Sequence, residues 1–237
     1  MKTLFLAIML ISISQLNAQT MKTVEKISWY GQAAVSIDND GQKIFIDPYQ
    51  LPVDDEADLI LITHSHGDHL SVEDIKKVLS SRTQFVCPIE CEAKLLEAGF
   101  ENIKTIEPGD IVNIDGTEIR AVPMYNVVKT KYHPKENGWT GFIIDVHGVK
   151  VYHAGDTERI PEMQNMDCDI ALLPLGQTYT MNSVEEAVEA ALDTGAEIAI
   201  PIHFGMYEGT EEDALKFREL LEGRIEVVML KRITSSE

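Results

Sequence analysis

Apolar positions along the chain fall into short runs separated by polar turns, and the period of each run sets the element it predicts. Residues 26–30 and 33–37 alternate apolar and polar, as half-buried strands do, and 43–47 returns as a third strand after the Asn39-Asp40-Gly41 turn. Leu59–Thr63 shows no such alternation, which marks a strand covered on both faces inside a layered fold. Ser71 with Asp74 three residues on starts a helix expected to reach about Ser81. A short strand at Gln84–Cys87 follows, then a helix over Glu90–Ala98 closed by Gly99. Strands are predicted at 103–106, 111–114 and 117–122, and a hairpin joins 141–146 to 149–153 across His147-Gly148. Further strands fall at 170–173, 198–202 and 225–230. Ser183 with Glu186 caps a helix to about Asp193, and Thr210 with Asp213 caps another that ends before Gly223. The pattern predicts two sheets covered by helices, an α/β layered fold.

At 237 residues, with no Pro/Gly/Ser-rich linker and no internal repeat, the chain reads as one domain from about Val24 onward. Residues 1–18 are set apart as a signal peptide. Lys2 supplies the positive start, Leu4–Ile13 the apolar run, and Leu16-Asn17-Ala18 the small-residue cleavage site. Export to the periplasm or beyond is expected, with cytoplasmic residence as the alternative if translation starts at Met21. The run is too short for a stable membrane anchor. A formal net charge of −19 and a pI near 4.7 disfavour a nucleic-acid partner, because that field repels phosphate backbones. Homo-oligomerisation is left open. Three cysteines, Cys87, Cys91 and Cys168, give an odd count, and they are expected to be small buried hydrophobes rather than a disulfide framework.

Candidate chemistry concentrates in Thr63-His64-Ser65-His66-Gly67-Asp68-His69-Leu70, at the mouth of the strand without alternation. Three of the chain's seven histidines lie here. His64 and His66 are two apart and point to one side of extended backbone, while Asp68 and His69 sit in the turn that follows. That supplies nitrogen ligands for one metal position and mixed nitrogen and oxygen ligands for a second. A polar loop that happens to be rich in histidine is the bland alternative. Alone, His203 would read as a core histidine and Asp156 as a turn residue after Gly155. Their joint position at predicted strand ends raises both.

The His-x-His-x-Asp-His segment resembles the signature of the metallo-β-lactamase superfamily. His153-Ala154-Gly155-Asp156-Thr157 and Pro201-Ile202-His203-Phe204 resemble that family's later metal motifs. With Phe45–Tyr49 and the stretch 174–181, the likeness is to the ascorbate-6-phosphate lactonase-like and UPF0173-type metal-dependent hydrolase branch. The resemblance implies a four-layer αββα sandwich. It also implies a hydrolase using metal-activated hydroxide on a small ester, lactone or phosphoester, with one or two divalent ions, zinc first and manganese as an alternative. His64 and His66 would hold one ion, Asp68, His69 and His203 the other, and Asp156 would bridge; Asp68 would also orient the hydroxide or take its proton.

The family's third histidine is missing, and Asn126 stands where it is expected. His133, seven residues later, is a candidate substitute, and Asn126 itself a poorer one. This departure keeps a second hypothesis in play, a non-catalytic metal- or ligand-binding protein with a degenerate first position. Asp47 is expected to orient a metal-binding histidine. Gln32, Tyr179 and Met181 are candidate pocket residues, and Lys129, Lys131 and Lys135 form a basic cluster suited to an anionic substrate if it faces the site. His147 is assigned no role. Mass spectrometry of the protein recovered from its native cells should find an N-terminus near Gln19; an intact Met1 or Met21 in a cytoplasmic fraction would contradict export.

Overall fold

The lack of alternation at Leu59–Ile62 arises because this strand separates two apolar compartments. In the computed structural model, which describes residues 18–52 and 55–234, β4 (Ala57–Leu61) lies between parallel β3 (Gln42–Ile46) and β5 (Leu79–Cys87). Leu59 and Leu61 join one buried cluster with Ile44 and Ile46, while Ile60 and Ile62 join another with Phe45 and Phe85. The first sheet runs β1-β2-β3-β4-β5-β6, with β1 (Ile27–Gly31), β2 (Ala34–Asn39) and β6 (Ile103–Thr105). Its first two pairings are antiparallel and the rest parallel.

The second sheet is ordered β13-β12-β11-β10-β9-β8-β7. It comprises β7 (Ile111–Ile114), β8 (Thr117–Pro123), β9 (Thr140–Val146), β10 (Val149–His153), β11 (Ile170–Pro174), β12 (Ile198–Ile202) and β13 (Glu226–Val227). Strands β10 to β13 pair in parallel, and β7 to β10 antiparallel. Ile119, Phe142, Ile144 and Val151 of this sheet share a cluster with Ile37, Ile44 and Leu59 of the first, so the two sheets bury their facing surfaces together. That burial is the main source of stability, since apolar area removed from water contributes about 25 cal/mol per Å².

Helices complete the outer layers. Ile75 and Val78 of α2 (Val72–Val78) and Cys91 and Leu95 of α3 (Ile89–Glu97) pack with Phe45, Ile60 and Phe85 of the first sheet. α4 (Val184–Thr194) and α5 (Glu211–Leu221) place Ala187, Val188, Ala191, Ala214 and Phe217 in the cluster of the second. Ser71, Ser183 and Thr210 accept from backbone N–H groups at their helix starts, each worth about 1 kcal/mol, and Thr210 with Asp213 forms a full capping box. The architecture is the αββα sandwich. All three cysteines are buried and free.

Two elements end earlier than the pattern predicts. α2 stops at Val78 rather than near Ser81, because Leu79–Thr83 joins β5. There the Ser80 and Thr83 hydroxyls both donate to the Ala57 carbonyl, an alternative that short hydroxyl side chains offer to helix. The last strand shrinks from 225–230 to Glu226–Val227. Beyond it the chain crosses to the first sheet, where Arg232 bridges Trp29 and the Ile233 N–H donates to the Trp29 carbonyl. A short helix, α1 over residues 18–24, precedes β1. In it Gln19 donates to the His147 carbonyl and Thr20 to Glu197. The expected leader lies outside the described residues except for Ala18. Among the described residues no helix is long and apolar enough to cross a membrane.

Phe142 is fully buried between the sheets. Phe142→Ala should lower unfolding free energy by about 3–5 kcal/mol, read as a reduced urea midpoint at unchanged slope.

Candidate metal centre

The site is built where parallel strands of both sheets end. Thr63 and His64 follow β4, Asp47 follows β3, Asp156 lies just past β10, and His203 follows β12. The backbone turns sharply there. Gln32, Asp47 and His203 adopt left-handed φ values of 45°, 48° and 60°, which cost a non-glycine residue roughly 1–2 kcal/mol each. Such strain held by surrounding structure is typical of functional sites. The His203 N–H donates to the Gln32 carbonyl, tying a turn of the first sheet to one of the second.

Two groups of side chains meet at this edge. His64, His66 and His133 bring ring nitrogens within 4.8 Å of one another, and Asp68, His69 and His203 do the same with nitrogen and carboxylate atoms. Asp156 lies between the groups. Its Oδ2 is 3.3 Å from His69 Nε2 and 3.5 Å from His133 Nε2, and its Oδ1 is 3.1 Å from His203 Nε2. His133, seven residues past the expected third histidine, therefore stands beside the first pair. Asn126 takes a different job. Its amide donates to the Lys129 and Tyr179 carbonyls, joining the two loops that flank the cleft.

The histidines are oriented from behind. Asp47 accepts from the Thr63 N–H at 2.8 Å and the Thr63 hydroxyl at 2.6 Å, and holds His69 Nδ1 at 2.7 Å. With its Nδ1 proton on Asp47, His69 turns Nε2 toward the centre. The Thr63 hydroxyl, already donating to Asp47, receives the His64 Nδ1 proton at 3.0 Å, so His64 Nε2 also faces inward. His153 stays outside the cluster; it bonds the Ala33 carbonyl through Nε2 and takes the Gly155 N–H on Nδ1.

Three supporting groups carry no motif in the sequence. Buried Glu158 accepts from the N–H groups of Val127, Val128 and Lys129 and so shapes the loop that delivers His133. Buried Glu208 lies 3.0 Å from His203 Nδ1 and accepts from the N–H groups of Thr178 and Tyr179 and the Thr180 hydroxyl. Trp139 packs its ring on His64, His66 and His133 at 4.8, 5.0 and 5.7 Å between centroids. Only tertiary packing joins them to the histidines, since none has a fixed spacing from its partner that a sequence pattern would expose.

Gln32 lines the cleft, and its amide lies 3.2 Å from His203 Nε2 and 3.4 Å from Asp68 Oδ2. Tyr179 lines it too. Met181 does not: its side chain is fully buried in the apolar core, and only its carbonyl points outward, to the Lys129 ammonium. The basic cluster is also drawn elsewhere. Lys129 donates to the Gln177 and Met181 carbonyls, Lys135 pairs with Glu162, and Lys131 lies over the Tyr132 ring. His147 pairs with Asp40 on the surface.

The donor set fits divalent metal ions. His69 Nε2, both nitrogens of His133 and Asp156 Oδ1 are buried without an aligned hydrogen bond, although opposite charges stand within ion-pair distance. Groups this deep need a partner. The electrostatics divide the histidines in two. Burial and neighbouring imidazoles hold His64 and His66 below the ordinary histidine value, and burial holds His133 at about 4, so all three are neutral donors. For His69 and His203 burial opposes charge, but Asp156, with Asp47 for the first and Glu208 for the second, overcomes it. His69 rises well above 6.5 and His203 to about 10. Asp156 stays ionised despite burial because His203 and His69 face it. The second group thus favours positive charge, as a proton or as a metal ion, and the first offers lone pairs.

A family model described as Beta-lactamase superfamily domain matches residues 26–203. The chain belongs to this superfamily. Among its relatives, a UPF0173 metal-dependent hydrolase of Methanopyrus kandleri is 30% identical over 226 residues, covering 87% of this chain and 96% of the relative. Another, of Thermoplasma acidophilum, is 34% identical over 210 residues, covering 82% and 90%. A solved chain from Parabacteroides distasonis superposes with a TM-score of 0.76 at 33% identity, covering 87% of this chain and 93% of that one. A metallo hydrolase from the hyperthermophilic archaeon Ignicoccus hospitalis gives 0.71 at 26%, covering 89% and 95%.

The opposed shifts set a pH dependence for the metal-stripped protein. His69 and His203, raised in the folded state, stabilise it fully below about 6.5, and that contribution is lost as pH climbs toward 10. His64, His66 and His133 are depressed, so stability also falls below 6.5, where unfolded histidines take protons that the folded ones refuse. Melting in chelator from pH 4 to 10 should show a maximum near 6.5. A temperature that stays flat from 6.5 to 9.5 would contradict the assignment.

Proposed function

We propose that the chain is a metal-dependent hydrolase acting on a small ester, lactone or phosphoester. The observation that carries this reading is the joint geometry of two ligand groups around one buried carboxylate. Names of relatives at 30% and 34% identity point the same way. His64, His66 and His133 would hold one ion, Asp68, His69 and His203 another, with Asp156 shared. Zinc suits the first, all-imidazole group, and manganese is the alternative for the mixed one. When bound, a divalent ion lowers the pKa of water and stabilises the charge that develops on a carbonyl or phosphoryl oxygen.

The chain's own residues do the rest. Asp47 and Thr63 hold the rings of His69 and His64 so that Nε2 of each faces the centre. Glu208 stands behind His203. Asp68 is the partly exposed carboxylate of the centre, its side chain 27% accessible, and Gln32 approaches its Oδ2. This exposure supports the proposed role of Asp68, which is to take a proton from attacking water and pass it to the leaving oxygen. The alternative of a non-catalytic binder rested on Asn126; with His133 beside His64 and His66, its main support is reduced.

Export is the second part of the proposal. Supporting it are the order of charge, apolar run and small residue through Ala18, and the hydrogen bonds that tie Gln19 to the His147 carbonyl and Thr20 to Glu197 immediately after that point.

His64→Ala, Asp68→Ala and His203→Ala should each cut metal-dependent turnover by a factor of about 10² or more while circular dichroism keeps its folded signature. His133→Ala should lower metal content per chain, measured by plasma mass spectrometry, without emptying the group of Asp68, His69 and His203. Full activity with unchanged metal stoichiometry in Asp68→Ala would overturn the reading.

A further inference from the structure

The mouth of the metal cleft has a chemistry of its own. The cleft encloses about 480 Å³, and four tyrosines line it: Tyr49, Tyr132, Tyr179 and Tyr207. They come from four loops, after β3, between β8 and β9, after β11 and after β12, and they stand in two pairs. Tyr132 and Tyr179 meet edge to face with centroids 5.0 Å apart. Tyr49 and Tyr207 are hydrogen-bonded through their hydroxyls, with centroids 6.3 Å apart. Tyr179 and Tyr207 remain 38% and 53% exposed. Scattered exposed apolar groups need no explanation, but aromatic rings gathered at one concave site do.

Charge narrows the choice further. Among the described residues no lysine or arginine lines the cleft, and its acidic groups are Asp68 and Asp156. Lys129 and Lys135 are bonded elsewhere, and the Lys131 ammonium sits 4.5 Å from the Tyr132 centroid. The chain as a whole carries a formal net charge of −19. A carboxylate or phosphate away from the bond to be cleaved would meet the chain's negative field with no lysine or arginine in the cleft lining to receive it.

We infer that this cleft selects an uncharged ester or lactone that carries a flat aromatic group next to the scissile bond. This rests on the hydrolase reading of the same cleft. The tyrosine rings supply edge and face contacts for the aromatic part. The hydroxyls of Tyr132 and Tyr179 are neutral groups that can add a hydrogen bond, while those of Tyr49 and Tyr207 already bond each other. Within the broader set of substrates the proposal disfavours those that carry a carboxylate or phosphate away from the scissile bond.

The test pairs binding with turnover on the zinc-loaded protein. Binding is measured by calorimetry with N-benzylacetamide, its saturated counterpart N-(cyclohexylmethyl)acetamide, and the benzyl compound bearing a para-carboxylate. The corresponding acetate esters measure turnover. The benzyl probe should bind roughly two- to tenfold more tightly than the saturated one, as expected for aromatic contacts, and the carboxylate should bind more weakly than the benzyl probe. Tyr179→Ala and Tyr207→Ala should remove that preference, and Tyr207→Phe should keep it. Equal binding of aromatic and saturated probes, preference for the carboxylate, no binding of any probe, or loss of benzyl binding in Lys131→Ala would overturn the inference. If the binding order holds but no ester is turned over, the hydrolase reading falls and the ligand class stands. If esters are turned over without aromatic preference, the reverse follows.

Discussion

Asp156 is a buried carboxylate within 3.5 Å of three imidazoles drawn from three separate stretches of chain. An ionised carboxylate at that depth is tolerated only where positive charge or strong donors surround it. Everything else at this edge of the molecule follows from meeting that condition. His69 and His203 are held toward the charged form by it, while His64, His66 and His133 stay neutral a few ångströms away. Burial outweighs the pull of Asp156 on the first group, and Asp47 and Glu208 add to it on the second, so one half of the centre wants a cation and the other offers lone pairs.

The fold delivers these groups because parallel strands of two facing sheets end at a common edge. The turns that carry Gln32, Asp47 and His203 are left-handed, and the local cost is carried by the apolar burial between the sheets. Behind the histidines stands a ring of carboxylates with distinct duties. Asp47 sets the His69 tautomer, Glu158 folds the loop that brings in His133, and Glu208 joins the loop of Tyr179 to His203. Gly176 shows how tightly the last is fitted, since a Cβ there would collide with the Glu208 side chain.

The same loops that bring in the supporting carboxylates also carry the rim. Glu158 anchors the segment that ends in Tyr132 and His133, and Glu208 follows Tyr207 directly while bonding the Tyr179 N–H. The geometry of the histidine cluster and the aromatic mouth are therefore mechanically linked. A change that loosens either buried glutamate acts on both the histidine cluster and the tyrosine rim of the cleft.

Local pattern was enough to place most strands and all the capped helices, because burial on one or both faces imposes a period that can be read residue by residue. It also marked the histidine-rich turn, Asp156 and His203 as unusual, since each ends an apolar strand. It misjudged the end of α2, where a hydroxyl bond to a neighbouring strand competes with helix, and it put Met181 in the pocket when the side chain belongs to the core. Whether Asn126 or His133 would stand beside His64 and His66 was undecidable from spacing. That outcome depends on a seven-residue loop whose path is set by Glu158, a contact between residues about thirty positions apart. Sequence by itself determined which segments are strands and helices and which residues are candidates for the metal centre. Only the tertiary structure decided which of them meet, because the partners come from different strands and loops, and their approach is governed by packing rather than by distance along the chain.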